Sequence, residues 1–210
     1  MIQLPKGLRI TAPTEVAILR RVRHSKPGST FKPADFMDLA SREAIDQGLS
    51  RLVAKGVLRR VGRGLYDLPQ VHPLLGPLLP TPESIRGALE NHGLKLTLQP
   101  TGAYAANLLG LTEQVPTRVA FLTDGPSRTI RFGNQEILLR HTTPRNMATA
   151  GKFSGLLIQA LRHLGKDQVD ERALERLRKR LKPEDRHCLR QDLRLAPIWI
   201  SKIMKALAEE

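Results

Sequence analysis

Five prolines, Pro69, Pro73, Pro77, Pro80 and Pro82, fall within residues 68–82, and nothing else in the sequence constrains the chain as much. Proline fixes φ and lacks an N–H, so this stretch cannot continue a helix or fill a central strand. It divides the 210 residues into two candidate domains, 1–70 and 71–210. The leucines among the prolines predict a connector that packs along a surface.

The charge balance argues about partners. Lys plus Arg number 34 against 20 Asp plus Glu, a net charge of +14 and a pI near 10.7. Residues 1–70 carry a net +7, residues 71–150 only +2, and residues 151–210 +5. Such an excess favours a polyanion, nucleic acid above all. At 40% hydrophobic and 26% charged residues, the composition is that of a folded soluble protein. No run of about 18 apolar residues is present to span a membrane, so no membrane association is expected. The first nine residues lack the apolar core of a secretory signal. One cysteine, Cys188, excludes a disulfide framework, and a reducing, cytoplasmic setting is expected.

Within residues 1–70, Thr14 is placed to cap a first helix with an apolar stripe of Val16, Leu19 and Val22, ending near His24 before Pro27-Gly28. A second short helix opens at Pro33 and buries Phe36 and Leu39. Ser41 caps a third, whose apolar face is Ile45, Leu49, Leu52 and Val53 and whose end is Gly56. Residues 57–61 and 65–68 about Gly62-Arg63-Gly64 read as a hairpin. Three helices and a hairpin describe a winged helix-turn-helix, with the third helix in the major groove. Candidate DNA contacts are Ser41, Arg42, Gln47, Ser50 and Arg51 on that helix, and Arg59, Arg60 and Arg63 on the wing. Arg42 and Gln47 suit bidentate bonds to guanine and adenine, and the wing arginines suit phosphate or a minor groove. The same arrangement also serves domains that dock proteins, so both uses stay open here.

Past the prolines, the pattern predicts a helix over 83–93, a strand over 95–99, and a helix over 103–109 capped by Thr101 and stopped by Gly110. A strand over 118–123 and a hairpin of 128–132 with 136–140 complete a small sheet spanning about 95–141. From 144 to 208 the pattern is helical, with Asp170 capping a helix whose apolar face is Leu174, Leu177 and Leu181. Its opposite face, Arg172, Arg176, Lys179 and Arg180, is either a solvated stripe or a surface for nucleic acid or an acidic partner. The fold class expected is α+β: an N-terminal winged helix-turn-helix, then a mixed α/β domain ending in a helical C-terminal region.

No catalytic constellation emerges, and no enzyme, cofactor or metal is expected. Gly28-Ser29 with Asp35 and Asp38 faintly matches a nucleotidyltransferase pattern, but Phe36 and Leu39 put those carboxylates on a core helix. His187-Cys188 has no second ligand pair for zinc, and Cys188 reads as a small buried hydrophobe. Phosphate-binding loops and nucleophile elbows are absent.

Residues 31–36 (FKPADF), 46–52 (DQGLSRL) and 63–67 (RGLYD) resemble the N-terminal domain of AbiEi-type antitoxins of bacterial type IV toxin–antitoxin systems. Residues 99–111 (QPTGAYAANLLGL), 122–125 (LTDG) and 140–147 (RHTTPRNM) are similar to the second domain, so the resemblance runs from about residue 14 to about residue 200. It implies an autorepressor that binds inverted repeats of double-stranded DNA in its own promoter. It also implies an antitoxin against a cognate nucleotidyltransferase-like toxin, without need of a stable complex, in a phage-defence setting. A monomer with cooperative DNA binding is expected. The alternative is a winged-helix regulator whose second domain senses a ligand or oligomerises.

Overall fold

The computed structural model describes residues 12–72, 76–90, 97–132 and 135–209. The chain is mixed α+β with small sheets, and it divides into two compact units with the boundary at Lys95, although Arg131–Gly133 counts with the first.

The first unit begins with helix α1 (Pro13–Arg23). A two-residue strand β1 (Thr30–Phe31) leads into the 3-10 turn Pro33–Phe36, and helix α2 (Arg42–Ala54) follows. Ser41 caps α2 by accepting from Ala44 N, and Gly56 leaves it at φ 68°, a left-handed value that suits glycine. Strands β2 (Arg59–Gly62) and β3 (Leu65–Asp67) form the expected hairpin. β1 pairs antiparallel with the other edge of β3, so the sheet order is β1-β3-β2. Ile18, Val22, Phe36, Ile45, Leu49, Leu52 and Leu58 close one core between helices and sheet. Burying each such side chain contributes about 1.5–3 kcal/mol.

Four expectations for this unit are corrected. Thr14 does not cap α1, whose N-cap is Ala12. Val16 is 39% exposed, and the stripe runs instead through Ile18, Leu19 and Val22. The reason is Glu15: its carboxylate is buried at the α1–α2 contact, held by Lys55 Nζ at 2.5 Å and Arg51 Nη1 at 3.5 Å, which turns Val16 outward. The second helix is a single 3-10 turn rather than an α-helix, braced where Asp35 Oδ2 accepts from Lys32 N. Finally, the unit does not end at residue 70. Part of the proline-rich stretch forms a two-stranded ribbon, β4 (Gln70–His72) with β5 (Gly76–Leu78), in which Pro77 faces Val71. A two-stranded ribbon leaves one edge of each strand unpaired, which tolerates a missing N–H. Helix α3 (Pro82–Glu90) then packs against β1; Ser84 Oγ donates to the Gly28 carbonyl at 2.6 Å and lies 2.8 Å from Thr30 Oγ1.

The second unit holds a four-stranded sheet ordered β6-β7-β9-β8, from β6 (Leu98–Thr101), β7 (Arg118–Thr123), β8 (Arg128–Phe132) and β9 (Gln135–His141). β7 runs antiparallel to β6 and parallel to β9. Helix α4 (Gly102–Leu108) follows β6, and the edge of the Tyr104 ring meets Phe121 of β7 at 5.6 Å between centroids. Thr101 precedes α4 but does not cap it, because its hydroxyl donates to Gln159 Oε1 instead. After a single turn α5 (Pro144–Met147), helix α6 (Phe153–Leu164) packs on α4 and β6. Helices α7 (Glu171–Arg180), α8 (Pro183–Asp192) and α9 (Ile198–Glu209) complete the unit. Leu157, Leu161, Leu177, Leu189, Ile200 and Met204 fill its core. Cys188 is only partly buried, correcting the expectation of a core position; Leu189 takes the inward place on α8. Among the described residues no helix is long and apolar enough to cross a membrane.

Candidate nucleic-acid interface

Helix α2 divides cleanly by face. Ile45, Leu49 and Leu52 point into the core, while Arg42, Gln47, Ser50 and Arg51 are exposed. This is the 3.6-residue period with one apolar stripe. Gln47 and Ser50 have no intramolecular partner among the described residues, so their donors and acceptors are available. Ser41 has its oxygen committed to the cap, at 3.4 Å from Ala44 N.

Two arginines of this helix are shared with structural roles. Arg42 Nε donates to Asp46 Oδ2 at 2.9 Å, an i,i+4 pair with both side chains largely exposed. A pair of that kind is worth about 0.3–0.5 kcal/mol, so a better acceptor can draw the guanidinium away. Arg51 lies beside the buried Glu15 carboxylate but keeps 57% of its side chain exposed.

The hairpin arginines separate into two kinds. Arg60 and Arg63 are exposed and unpaired among the described residues. Arg59 points elsewhere: its guanidinium binds the buried Asp67 carboxylate of β3 through Nε at 3.0 Å and Nη2 at 2.5 Å, and Nη2 also donates to Leu78 O at 2.7 Å. With Nε and Nη2 so engaged, Arg59 holds the sheet and the ribbon together. Its guanidinium is thus engaged within the fold, unlike those of Arg60 and Arg63. Counting basic residues in a hairpin does not reveal this, because in an antiparallel pair the partner eight residues on decides it.

Sequence reasoning left out the end of α1. Arg20, Arg23 and Lys26 are exposed and unpaired among the described residues of the same unit. Their signal was a basic last helical turn, which also suits a helix dipole. Arg21, between them, is taken: it donates to both carboxylate oxygens of Asp38 at 2.6 Å and to Asp35 O. That pair of bonds holds the Asp38 carboxyl down at about 2 and raises the Arg21 value further. Asp35 and Asp38, the carboxylates of the faint nucleotidyltransferase pattern, thus both have structural partners.

In the second unit, the basic face of α7 is real but uneven. Arg172, Arg176, Lys179 and Arg180 are all exposed. Arg176 Nη1 donates to the Gly110 carbonyl at 3.4 Å, just past the end of α4, where a cation complements the helix dipole. Arg180 Nη1 lies 2.9 Å from where a Cβ of Gly110 would be. Arg172 and Lys179 remain without partners among the described residues. There, too, no group of three or more His, Cys, Asp or Glu side chains is placed to hold a metal.

These features define an α+β protein of two compact units, each presenting exposed cations. The chain belongs to DUF6088, described as a family of unknown function, which it matches over residues 17–189. No curated protein matches it. It is similar to the crystal structure of the RV2827C protein from Mycobacterium tuberculosis, with 15% identity over 98% of this chain and 80% of that one and a TM-score of 0.45.

Proposed function

We propose that the first unit is a winged helix-turn-helix that binds double-stranded DNA, and that the chain is an autorepressing antitoxin of a type IV system. The observation that carries the DNA reading is the pairing state of the surface: Gln47 and Ser50 on α2 and Arg60 and Arg63 on the hairpin are exposed with no intramolecular partner. Polar groups on a helix offer base-edge contacts, and cations on a hairpin offer phosphate contacts. The order α1, Pro33–Phe36 turn, α2 and β2–β3 around one core supports the same assignment. Arg42 joins the reading helix once its bond to Asp46 is exchanged for a base or phosphate.

Support for the antitoxin half is the resemblance of residues 99–111, 122–125 and 140–147 to the second domain of AbiEi-type antitoxins. In this reading the second unit neutralises a nucleotidyltransferase-like toxin encoded beside it. Arg172 and Lys179 are its exposed charges for that partner or for secondary DNA contacts. The test has two arms. Gel-shift titration of the full chain on its own promoter should give saturable binding that outlasts competitor DNA. Co-expression with the neighbouring toxin-like gene should restore growth. Binding that shows no preference for the promoter sinks the repressor reading, and growth arrest despite co-expression sinks the antitoxin reading.

A further inference from the structure

We propose that a cavity of about 640 Å³ in the second unit binds a small amphipathic anion: an apolar body carrying one carboxylate or sulfonate group. The volume lies within the range of small-molecule sites, about 300–1,000 Å³. Val169, Leu174, Trp199 and Ile203 line it, and each packs from behind on the buried core of α6, α7, α8 and α9, so the apolar walls are held in place. Two lysines stand on the same lining, Lys166 from the short turn Lys166–Gln168 and Lys202 from α9.

The charge is what selects the occupant. Neither lysine has an ion-pair partner among the described residues, whereas Lys205, on the same helix as Lys202, pairs with Glu209 at 3.6 Å. Among the described residues no acidic side chain lines the cavity, and the Asp170 carboxylate, next to Val169 in the chain, accepts from Ala173 N to cap α7. An ammonium at the edge of an apolar cavity forms charge-assisted hydrogen bonds with an anion and repels a cation. Trp199 supplies a large flat face for an aliphatic or aromatic body. Ile198, 81% exposed, is the rim that such a ligand would partly cover. This inference is independent of the antitoxin reading, since it uses neither α2 nor the basic face of α7.

Trp199 is the chain's single tryptophan, so its emission reports on this cavity alone. The full chain is titrated with dodecanoate below its micellar concentration, with dodecanol and dodecyltrimethylammonium as head-group controls. The expected result is a saturable shift with dodecanoate at an affinity at least about tenfold above both controls. The double variant K166Q/K202Q should erase that margin while leaving the weaker dodecanol response as it was, which also shows that the cavity is still folded. Equal affinity for the three head groups, a margin that survives the double variant, or no saturable response to dodecanoate would each overturn the proposal. A response to poly-L-glutamate without one to dodecanoate overturns it in favour of an acidic protein partner.

Discussion

Arg59 and Asp67 face each other across the β2–β3 pair, and the guanidinium of the first closes on the fully buried carboxylate of the second with two hydrogen bonds. The same guanidinium reaches the carbonyl of Leu78 in the proline-rich ribbon. One arginine thereby ties together two sheets of the first unit. Removing Arg59 strands a carboxylate that water does not reach, and removing Asp67 leaves a partly buried guanidinium with Leu78 O as its acceptor. Asp67→Ala should therefore cost about 3 kcal/mol in urea unfolding, and Arg59→Ala a similar amount. The double variant should cost clearly less than the two single losses added, because the second change removes a group already stranded. Additive losses would mean that the two side chains do not act as a pair.

If the first unit binds DNA as proposed, Arg60 and Arg63 should behave differently from α2. Arg60→Ala and Arg63→Ala should each weaken binding to any sequence and reduce the slope of log affinity against log salt by about 1. Gln47→Ala should cost about 1–3 kcal/mol on the promoter alone and relax base preference at one position. Gel shifts at two salt concentrations separate the outcomes. If Gln47→Ala weakens random DNA just as much, α2 is not reading bases.

The Arg42–Asp46 pair allows a gain to be tested as well as a loss. Asp46→Ala frees the guanidinium, which should tighten DNA binding severalfold at low salt with little change in stability, since an exposed i,i+4 pair contributes only a few tenths of a kcal/mol. Arg42→Ala/Asp46→Ala should abolish that gain. A gain that persists in the double variant would show only that a negative charge had been removed from the face.

The Arg21–Asp38 contact carries a pH signature. Asp38 is held at about 2, below its ordinary 3.8, chiefly by the hydrogen bonds from Arg21. A carboxylate depressed on folding stabilises above its unfolded value, and that contribution is lost as the pH falls through the folded one. The contact should therefore persist down to about pH 4 and fade towards pH 2. Arg21→Gln should return Asp38 to the usual carboxylate range in an NMR titration. An unmoved titration in that variant would show that Arg21 is not the cause.

Gly155, in the first turn of α6, tests the packing of the second unit. A Cβ there would sit 2.2 Å from the carbonyl oxygen of Thr149 and 2.8 Å from Gln99 Oε1. Helix propensity alone favours alanine by about 1 kcal/mol. The backbone oxygen cannot yield as a side chain could, so Gly155→Ala should instead destabilise, by roughly 3 kcal/mol. Thermal unfolding of the variant decides the sign.

What the sequence made legible was local. The bounds of α2 follow from Ser41 and Gly56, the hairpin from its glycine turn, and the cap of α7 from Asp170. What it hid depends on residues far apart. Glu15 looks like a solvent-facing helix residue until Lys55, forty positions on, is brought to it. Arg59 looks like part of a cationic tip until β3 supplies Asp67. The two-residue strand β1 is too short to carry a period, and the reach of the first unit through α3 rests on Ser84 meeting Gly28. The candidate interface was legible as charge, but which charges are already spent was not.

The parallel pairing of β7 with β9 sets an order of events on the ribosome. Arg118 faces Glu136 and Thr123 faces His141, so the centre of the second sheet cannot form until residue 141 has cleared the exit tunnel. Until then Phe121 lacks its neighbour Leu139, and β7 has only β6 to pair with. Parallel pairing needs a crossover between the strands, which must be closed before the pairing itself is rewarded, and this slows assembly. The first unit has distant pairings of its own, Thr30 with Asp67 and Ser84 with Gly28, but apart from Arg131–Gly133 all of it has emerged once Lys95 has. A nascent chain therefore passes through a stage in which the first unit can already be largely folded while the second still exposes the strands of its sheet. At that stage, aggregation and proteolysis would act mainly on the second half.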